Sequence, residues 1–191
     1  MKYLNVFDFD NTIYRGESPV DFAFFLLRTH KWIYRYLPPI FYHSVRYKLC
    51  LVSRAGMEAV FNHYLRSFPL GKDELMHLIA QFWKEHACKL DKNMLRRIRK
   101  DDVILSAGPS ILIEGIRHLL KTENVIATEI DFDRKKVVYY NFRENKVKRF
   151  YELFGQQRIH RFYTDSYNDR ALMDISDSVF LVKKGKIRRI K

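Results

Sequence analysis

The sequence predicts an α/β fold: a parallel sheet between two layers of helix, with an all-helical segment inserted after the first strand. Three observations predict it. Asn5-Val6-Phe7-Asp8-Phe9-Asp10-Asn11-Thr12-Ile13 is an apolar run that breaks into acids. From about residue 100, short apolar runs alternate with amphipathic stretches, the pattern of a three-layer parallel core. Between these two regions, residues 14–90 read as nearly continuous helix.

Taken in order, the first strand ends near Asp8. Residues i and i+2 of a strand share a face, so Asp8 and Asp10 fall together at its carboxyl edge, where open α/β sheets bind ligands. Two neighbouring carboxylates in a crevice of low polarity resist ionising together. The arrangement costs stability, and a metal or a reaction explains it. The plainer alternative is a strand end followed by a polar Asp-Asn-Thr turn. In the helical stretch, Ser18-Pro19-Val20-Asp21 predicts a helix start, with Ser18 as N-cap, Pro19 at the first position and Asp21 reaching back. Phe22, Phe25, Leu26 and Leu27 supply its apolar face. Pro38-Pro39 is expected to break the next helix, and Phe68-Pro69-Leu70-Gly71 marks another boundary. The alternation that follows predicts strand 103–105, helix 110–121 with Pro109 as its first residue, strand 124–129 and a strand near 136–140. It continues with helix 146–155, strand 160–163, helix 169–175, strand 178–182, and a Lys184-Gly185 turn before a last short strand.

Three of these strand-to-helix junctions carry chemistry. Ser106-Ala107-Gly108 follows an apolar run and precedes a helix, so its loop amides and the Ser106 hydroxyl suit an anion. Asn145-Lys146-Val147 opens an amphipathic helix that could aim one lysine inward. Asp165-Ser166-Tyr167-Asn168-Asp169 again turns an apolar run into acids. Each has an ordinary structural reading: a helix cap, a solvated lysine, a pair of acids favoured by a helix dipole.

Together and in this order they resemble the haloacid dehalogenase superfamily, nearest to its phosphoserine-phosphatase-like branch. Asp8 through Thr12 resembles the first signature, Asp-x-Asp-x-Thr. Ser106 resembles the second, Lys146 the third, and Asp165 with Asp169 the fourth. Asn11 and Thr164 depart from the glycines that are commonest at their positions, and Asn tolerates left-handed backbone. The resemblance implies a Rossmann-like catalytic core of residues 1–13 and 91–191 with a helical cap domain of residues 14–90. It implies a Mg²⁺-dependent phosphatase acting through an aspartyl phosphate. Asp8 would be the nucleophile and Asp10 the acid and base. Thr12, Ser106, Ala107, Gly108 and Lys146 would hold phosphate. The metal would take Asp8, Asp10 through its carbonyl, and Asp165, supported by Asn168 and Asp169. Glu17 falls where phosphoserine phosphatases carry an acid for the substrate amine, though Arg15-Gly16-Glu17-Ser18 reads equally as a polar lead-in to a helix. No arginine for a substrate carboxylate stands out.

The substrate class implied is a small phosphorylated metabolite or a lipid phosphate. The lipid reading rests on Lys31 through Lys48, a segment rich in aromatic and basic residues. Its placement resembles the phosphatidylglycerophosphate phosphatases of this superfamily. Aromatics at headgroup depth and cations toward anionic lipid would give peripheral membrane contact, whereas the same residues could simply pack inside the helical segment.

The 191 residues suffice for one good core or a core plus a small insert, and 47% hydrophobic content excludes a disordered chain. No apolar run reaches the ~18 residues that span a bilayer. The chain begins on its first strand, so no signal peptide is expected and a cytoplasmic protein is. Cys50 and Cys88 do not make a disulfide framework; both are expected to be buried or half-buried thiols. The histidines lack a zinc partner set. A net charge of +13, with basic clusters at 96–100 and 183–191, favours anionic partners. This supports a second hypothesis, a basic protein that binds nucleic acid or anionic membrane without turnover. No nucleic-acid-binding motif accompanies the charge, so no specific nucleic acid is expected.

Overall fold

The computed structural model describes residues 3–48, 51 and 53–191. Its centre is a seven-stranded sheet. Strand β1 (Asn5–Asp8) is followed by four helices: α1 (Ser18–Thr29), α2 (Leu37–Lys48), α3 (Arg54–Ser67) and α4 (Lys72–His86). A short α5 (Lys92–Arg97) leads to β2 (Val103–Pro109), α6 (Ser110–Glu114), β3 (Asn124–Asp131) and β4 (Lys136–Tyr139). Then come α7 (Glu144–Phe154), β5 (Ile159–Thr164), α8 (Arg170–Asp174), β6 (Ser176–Lys183) and β7 (Lys186–Arg189).

The strand order is β4-β3-β2-β1-β5-β6-β7, parallel from β3 to β6 and antiparallel at both edges. The connections leave β1 toward β2 and β5 toward β6, in opposite directions. The crevice between the carboxyl ends of β1 and β5 is therefore the topological switch point at which such sheets bind ligands. The strands form because Val, Ile and Phe runs can be buried on both faces of a parallel sheet; Val6, Phe7, Val103, Ile104, Leu105 and Phe162 are all inaccessible.

Alternation divides the core in two. Phe7 and Ile104 join Phe25, Ile79, Phe82 and Trp83 in a cluster beneath α1 and α4. Val6, Val103, Leu105 and Phe162 join Phe150 and Leu172 beneath α7 and α8. Asp8 shares the Val6 face, so the strand itself turns its carboxylate toward α7.

The structure corrects several sequence expectations. Residues 136–139 form an antiparallel hairpin partner of β3 rather than a parallel strand. The connection 132–135 is too short for a crossover, and Lys135 takes the turn at φ 49°. The helix expected over 110–121 stops at Glu114 and resumes as a 3-10 turn over Arg117–Leu119. At Gly115 α4 lies so close that a Cβ would collide with Ile79 and sit 2.8 Å from Trp83 Cδ1. Pro109 belongs to the strand and precedes the helix. Ser18 is the first helical residue rather than a side-chain cap, and Asp21 instead accepts hydrogen bonds from Tyr14 Oη (2.6 Å) and Lys89 Nζ (2.8 Å). Pro38 and Pro39 sit in the first turn of α2, where their missing N–H groups are no loss. Cys88 is exposed, not buried; Cys50 lies outside the described residues.

α1 and α4 share the sheet's own hydrophobic cluster, and Trp83 Nε1 donates to the Leu112 carbonyl at 2.7 Å. α2 and α3 pack mainly on each other and, through Met57 and Phe61, against Tyr140 beside β4. Among the described residues no helix is long and apolar enough to cross a membrane.

Candidate active site

The carboxyl edge of the sheet gathers the acids. Asp8 ends β1, and Phe7 is level with Tyr163 of β5, so Asp165 emerges one residue beyond the level of Asp8 on the neighbouring strand. Adjacent strands lie about 4.8 Å apart. Lys146, the third residue of α7, reaches down from the Asp8 side. Its Nζ lies 2.9 Å from Asp8 Oδ1 and 2.9 Å from Asp169 Oδ1. All three side chains are buried. Thr164 Oγ1 donates to the other Asp169 oxygen at 3.2 Å, fixing that carboxylate from the end of β5.

Asp10 stands beside this group. The Ser18 amide at the start of α1 donates to its Oδ1 at 2.7 Å, while Ser106 Oγ lies 3.5 Å from its Oδ2. Asn11 adopts the left-handed conformation (φ 58°) that this tight loop needs, and Thr12 is buried behind it with no partner for its hydroxyl. Gly108 donates its amide to Ser106 Oγ at 2.9 Å. A Cβ there would stand 3.1 Å from Pro19, 3.2 Å from Ser106 Oγ and 3.6 Å from Asp10 Oδ2, so a larger residue would crowd the loop.

Burial sets the electrostatics. It pushes the Asp8 carboxyl up, against the pull of the Lys146 ammonium and with the help of Asp169. Burial also pushes Asp10 up to about 6, the Ser18 donors opposing and Glu17 reinforcing. Asp165 is raised by burial and by Glu17, with Lys183 opposing. For Lys146, burial would lower the pKa, yet Asp8 and Asp169 overcome it and hold the ammonium charged. One lysine is therefore shared by two carboxylates, while Asp10 and Asp165 add further negative charge nearby.

That surplus suits a hard cation. Among the described residues no three His, Cys, Asp or Glu side chains are grouped to cage one. Mg²⁺ keeps several waters and takes only one or two carboxylates, and carboxylate and carbonyl oxygens such as those of Asp8, Asp165 and Asp10 have the hardness it prefers.

Of the other sequence candidates, Ala107 contributes through its backbone. Asn168 is exposed, and its amide donates to Ser166 Oγ at 3.1 Å. Glu17 is exposed at the rim and accepts from Asn11 Nδ2 at 2.9 Å. The segment Lys31 through Lys48 divides: Trp32 and Tyr36 pack on Phe68, whereas Tyr34, Phe41 and Tyr42 face outward.

Two residues were missed. Thr128 Oγ1 donates to the Ala107 carbonyl at 2.7 Å and accepts from the Asn141 amide at 3.2 Å. Asn141 Nδ2 donates to the Ser106 carbonyl at 2.8 Å. Both are buried, and together they hold the backbone of the Ser106–Gly108 loop from behind. A threonine within a strand pattern and an asparagine after a hairpin carry no local signature of this role.

Comparison with known proteins gives the family and the fold. The family model for haloacid dehalogenase-like hydrolases matches residues 6–174, and the chain belongs to this family of hydrolases. No curated protein matches the sequence. Among solved structures, a protein with unknown function from Bordetella pertussis Tohama I aligns with TM-score 0.73 at 21% identity, over 91% of this chain and 86% of that one. A phosphoserine phosphohydrolase-like protein from Francisella tularensis subsp. tularensis SCHU S4 aligns with TM-score 0.62 at 18% identity, over 93% and 86%. A probable phosphoserine phosphatase from Vibrio cholerae gives 0.51 at 11%, over 93% of this chain and 55% of that one. These likenesses show a shared fold.

Proposed function

We propose that this hydrolase is a Mg²⁺-dependent phosphatase acting on a phosphomonoester, a small phosphorylated metabolite or a lipid phosphate, through an aspartyl phosphate at Asp8. The observation that carries the reading is the Lys146 ammonium held 2.9 Å from both Asp8 and Asp169, beside an Asp10 carboxyl that accepts from the Ser18 amide at 2.7 Å and that burial pushes up to about 6. A phosphoryl dianion repels an anionic nucleophile, so its charge has to be screened while the nucleophile is held in line. Lys146, the Ser106 hydroxyl, Thr12 and the amides of Ala107 and Gly108 would be the donors for that, the Gly108 amide turning to substrate from Ser106 Oγ and the Ser106 hydroxyl from Asp10. Asp8, the Asp10 carbonyl and Asp165 would hold Mg²⁺, which supplies further charge neutralisation at the phosphoryl oxygens.

In the first half-reaction an Asp8 carboxylate oxygen attacks phosphorus, the ester P–O bond breaks, and protonated Asp10 gives its proton to the leaving alkoxide. In the second, Asp10 takes a proton from water as the water oxygen attacks phosphorus. The bond from phosphorus to Asp8 breaks and inorganic phosphate leaves. A group that serves as acid and then base works best with a pKa near the operating pH. Residues 14–90 would act as the cap over this crevice, with α2 and α3 as its outer part, excluding water and choosing the substrate.

Asp8→Asn removes the nucleophile while keeping its shape. Hydrolysis of p-nitrophenyl phosphate with Mg²⁺ should fall by at least about 10³-fold, with circular dichroism and thermal melting still showing a folded protein. A folded Asp8→Asn protein with normal turnover would reject the assignment.

A further inference from the structure

A second feature of the crevice lies on the leaving-group side. A pocket of about 250 Å³ opens among α1, α2, α3, α4 and the end of β3, and no charged side chain lines it. Ala23, Ile40, Leu65, Ile79 and Phe132 form its walls, and Pro19 and Pro109 form one end. That end adjoins the catalytic loops. Pro19 follows Ser18, whose amide holds Asp10, and Pro109 follows Gly108. A Cβ built on Gly108 lies 3.1 Å from Pro19 Cγ and 3.6 Å from Asp10 Oδ2, so this end of the pocket lies close to the Asp10 carboxylate.

A concave apolar pocket beside convergent polar groups is the usual form of a ligand site. Resting on the phosphatase reading above, Asp10 protonates the leaving oxygen, so the leaving alcohol must lie on the side of Asp10, toward Pro19 and Pro109. We propose that this alcohol carries a hydrocarbon tail, and that the substrate is an amphiphilic phosphomonoester with its phosphate at Asp8 and its tail in the pocket. At ~30 Å³ for a group the size of a water or a methylene, the pocket has room for about eight. The outer side of α2 fits such a substrate. Ile40 lines the pocket, and next to it Phe41 and Tyr42 are 72% and 56% exposed, with the Arg46 guanidinium 5.4 Å from the Tyr42 ring. Aromatic and cationic groups together meet the apolar and anionic parts of an amphiphile.

The test is a series of n-alkyl phosphates from methyl to decyl, kept below micelle formation, beside phosphoserine and glycerol phosphate, all with Mg²⁺. The expected result is a kcat/KM that rises about fourfold per methylene and levels off near octyl, with the hydrophilic esters at the low end. Octyl phosphate in solution and in anionic vesicles separates a soluble amphiphile from a bilayer lipid as the source. Ala23→Leu, which fills the pocket from α1, should reduce the octyl-to-methyl ratio at least tenfold. Leu65→Trp does the same from α3, should the first variant fail to fold. A flat or falling series with turnover intact would overturn the tail and leave the phosphatase reading standing. No turnover of any phosphomonoester would overturn both.

Discussion

The carboxyl edge of the sheet and the helices of residues 14–90 bury opposite materials. At the sheet edge Asp8, Asp169 and Lys146 are out of water and held by a few directed bonds, one lysine serving both carboxylates. In the helices, Phe22, Phe25, Phe82 and His86 pack as rings at 4.3–6.4 Å, sharing their contacts among several neighbours. Buried charge is held only by named bonds, whereas buried hydrocarbon is held in proportion to area. Substitution should therefore be all-or-none at the edge and graded in the helices.

Lys146→Met is the strongest way to break that contrast. It leaves Asp8 and Asp169 facing each other without a cation, and removing one partner of a buried ion group costs about 3–5 kcal/mol. Urea unfolding in chelator-treated buffer should show this loss, and turnover should fall with it. A loss below about 1 kcal/mol would mean that the two carboxylates are not held by the lysine.

On the apolar side, Phe82→Ala empties a fully buried ring position and should cost about 3–5 kcal/mol. Phe41→Ala, on the outward side of α2, should change stability by no more than about 0.5 kcal/mol. Equal losses from the two in thermal unfolding would mean that the outer face of α2 is covered after all.

Legibility in the sequence follows the same division. Asp8, Asp10, Ser106, Lys146, Asp165 and Asp169 stand in local strings where an apolar strand breaks into polar residues, and the parallel sheet then brings those strings to one edge. The supporting residues Thr128 and Asn141 act across 21 and 35 positions of chain, through carbonyls that any residue would present. Nothing in the sequence marks such a contact. Gly115 is similar: nothing local in the sequence says that Ile79 and Trp83 leave no room there for a Cβ. Thr128→Val sharpens the point. It keeps the shape but leaves the Ala107 carbonyl and the Asn141 amide without their hydroxyl, at about 1–3 kcal/mol. Turnover should drop about tenfold through displacement of the Ser106–Gly108 loop. Unchanged kcat in the variant would show that the loop needs no support from behind.

The smallest expected effect lies where the two regions join. Tyr14 and Leu90 pair as a two-residue bridge, Arg15 donates its amide to the Lys89 carbonyl at 3.0 Å, and the Arg15 guanidinium lies 3.1 Å from Asp91. Asp91 also caps α5 by accepting from the amides of Asn93 and Met94. Burial would raise its pKa, but the Met94 amide, the guanidinium and the Asn93 amide together hold it below the usual carboxylate value. A carboxyl with a depressed folded pKa binds protons less readily folded than unfolded, so its contribution is present above about pH 4 and lost as pH falls through the folded value. Asp91→Asn keeps a capping oxygen and loses the charge. It should lower stability at pH 7 by no more than about 1 kcal/mol, because the Arg15 side chain is 63% exposed and screened by water. The gap in melting temperature between parent and variant should then close as pH falls below about 4. A gap of constant size across that range would place the origin of the Asp91 effect in packing rather than in charge.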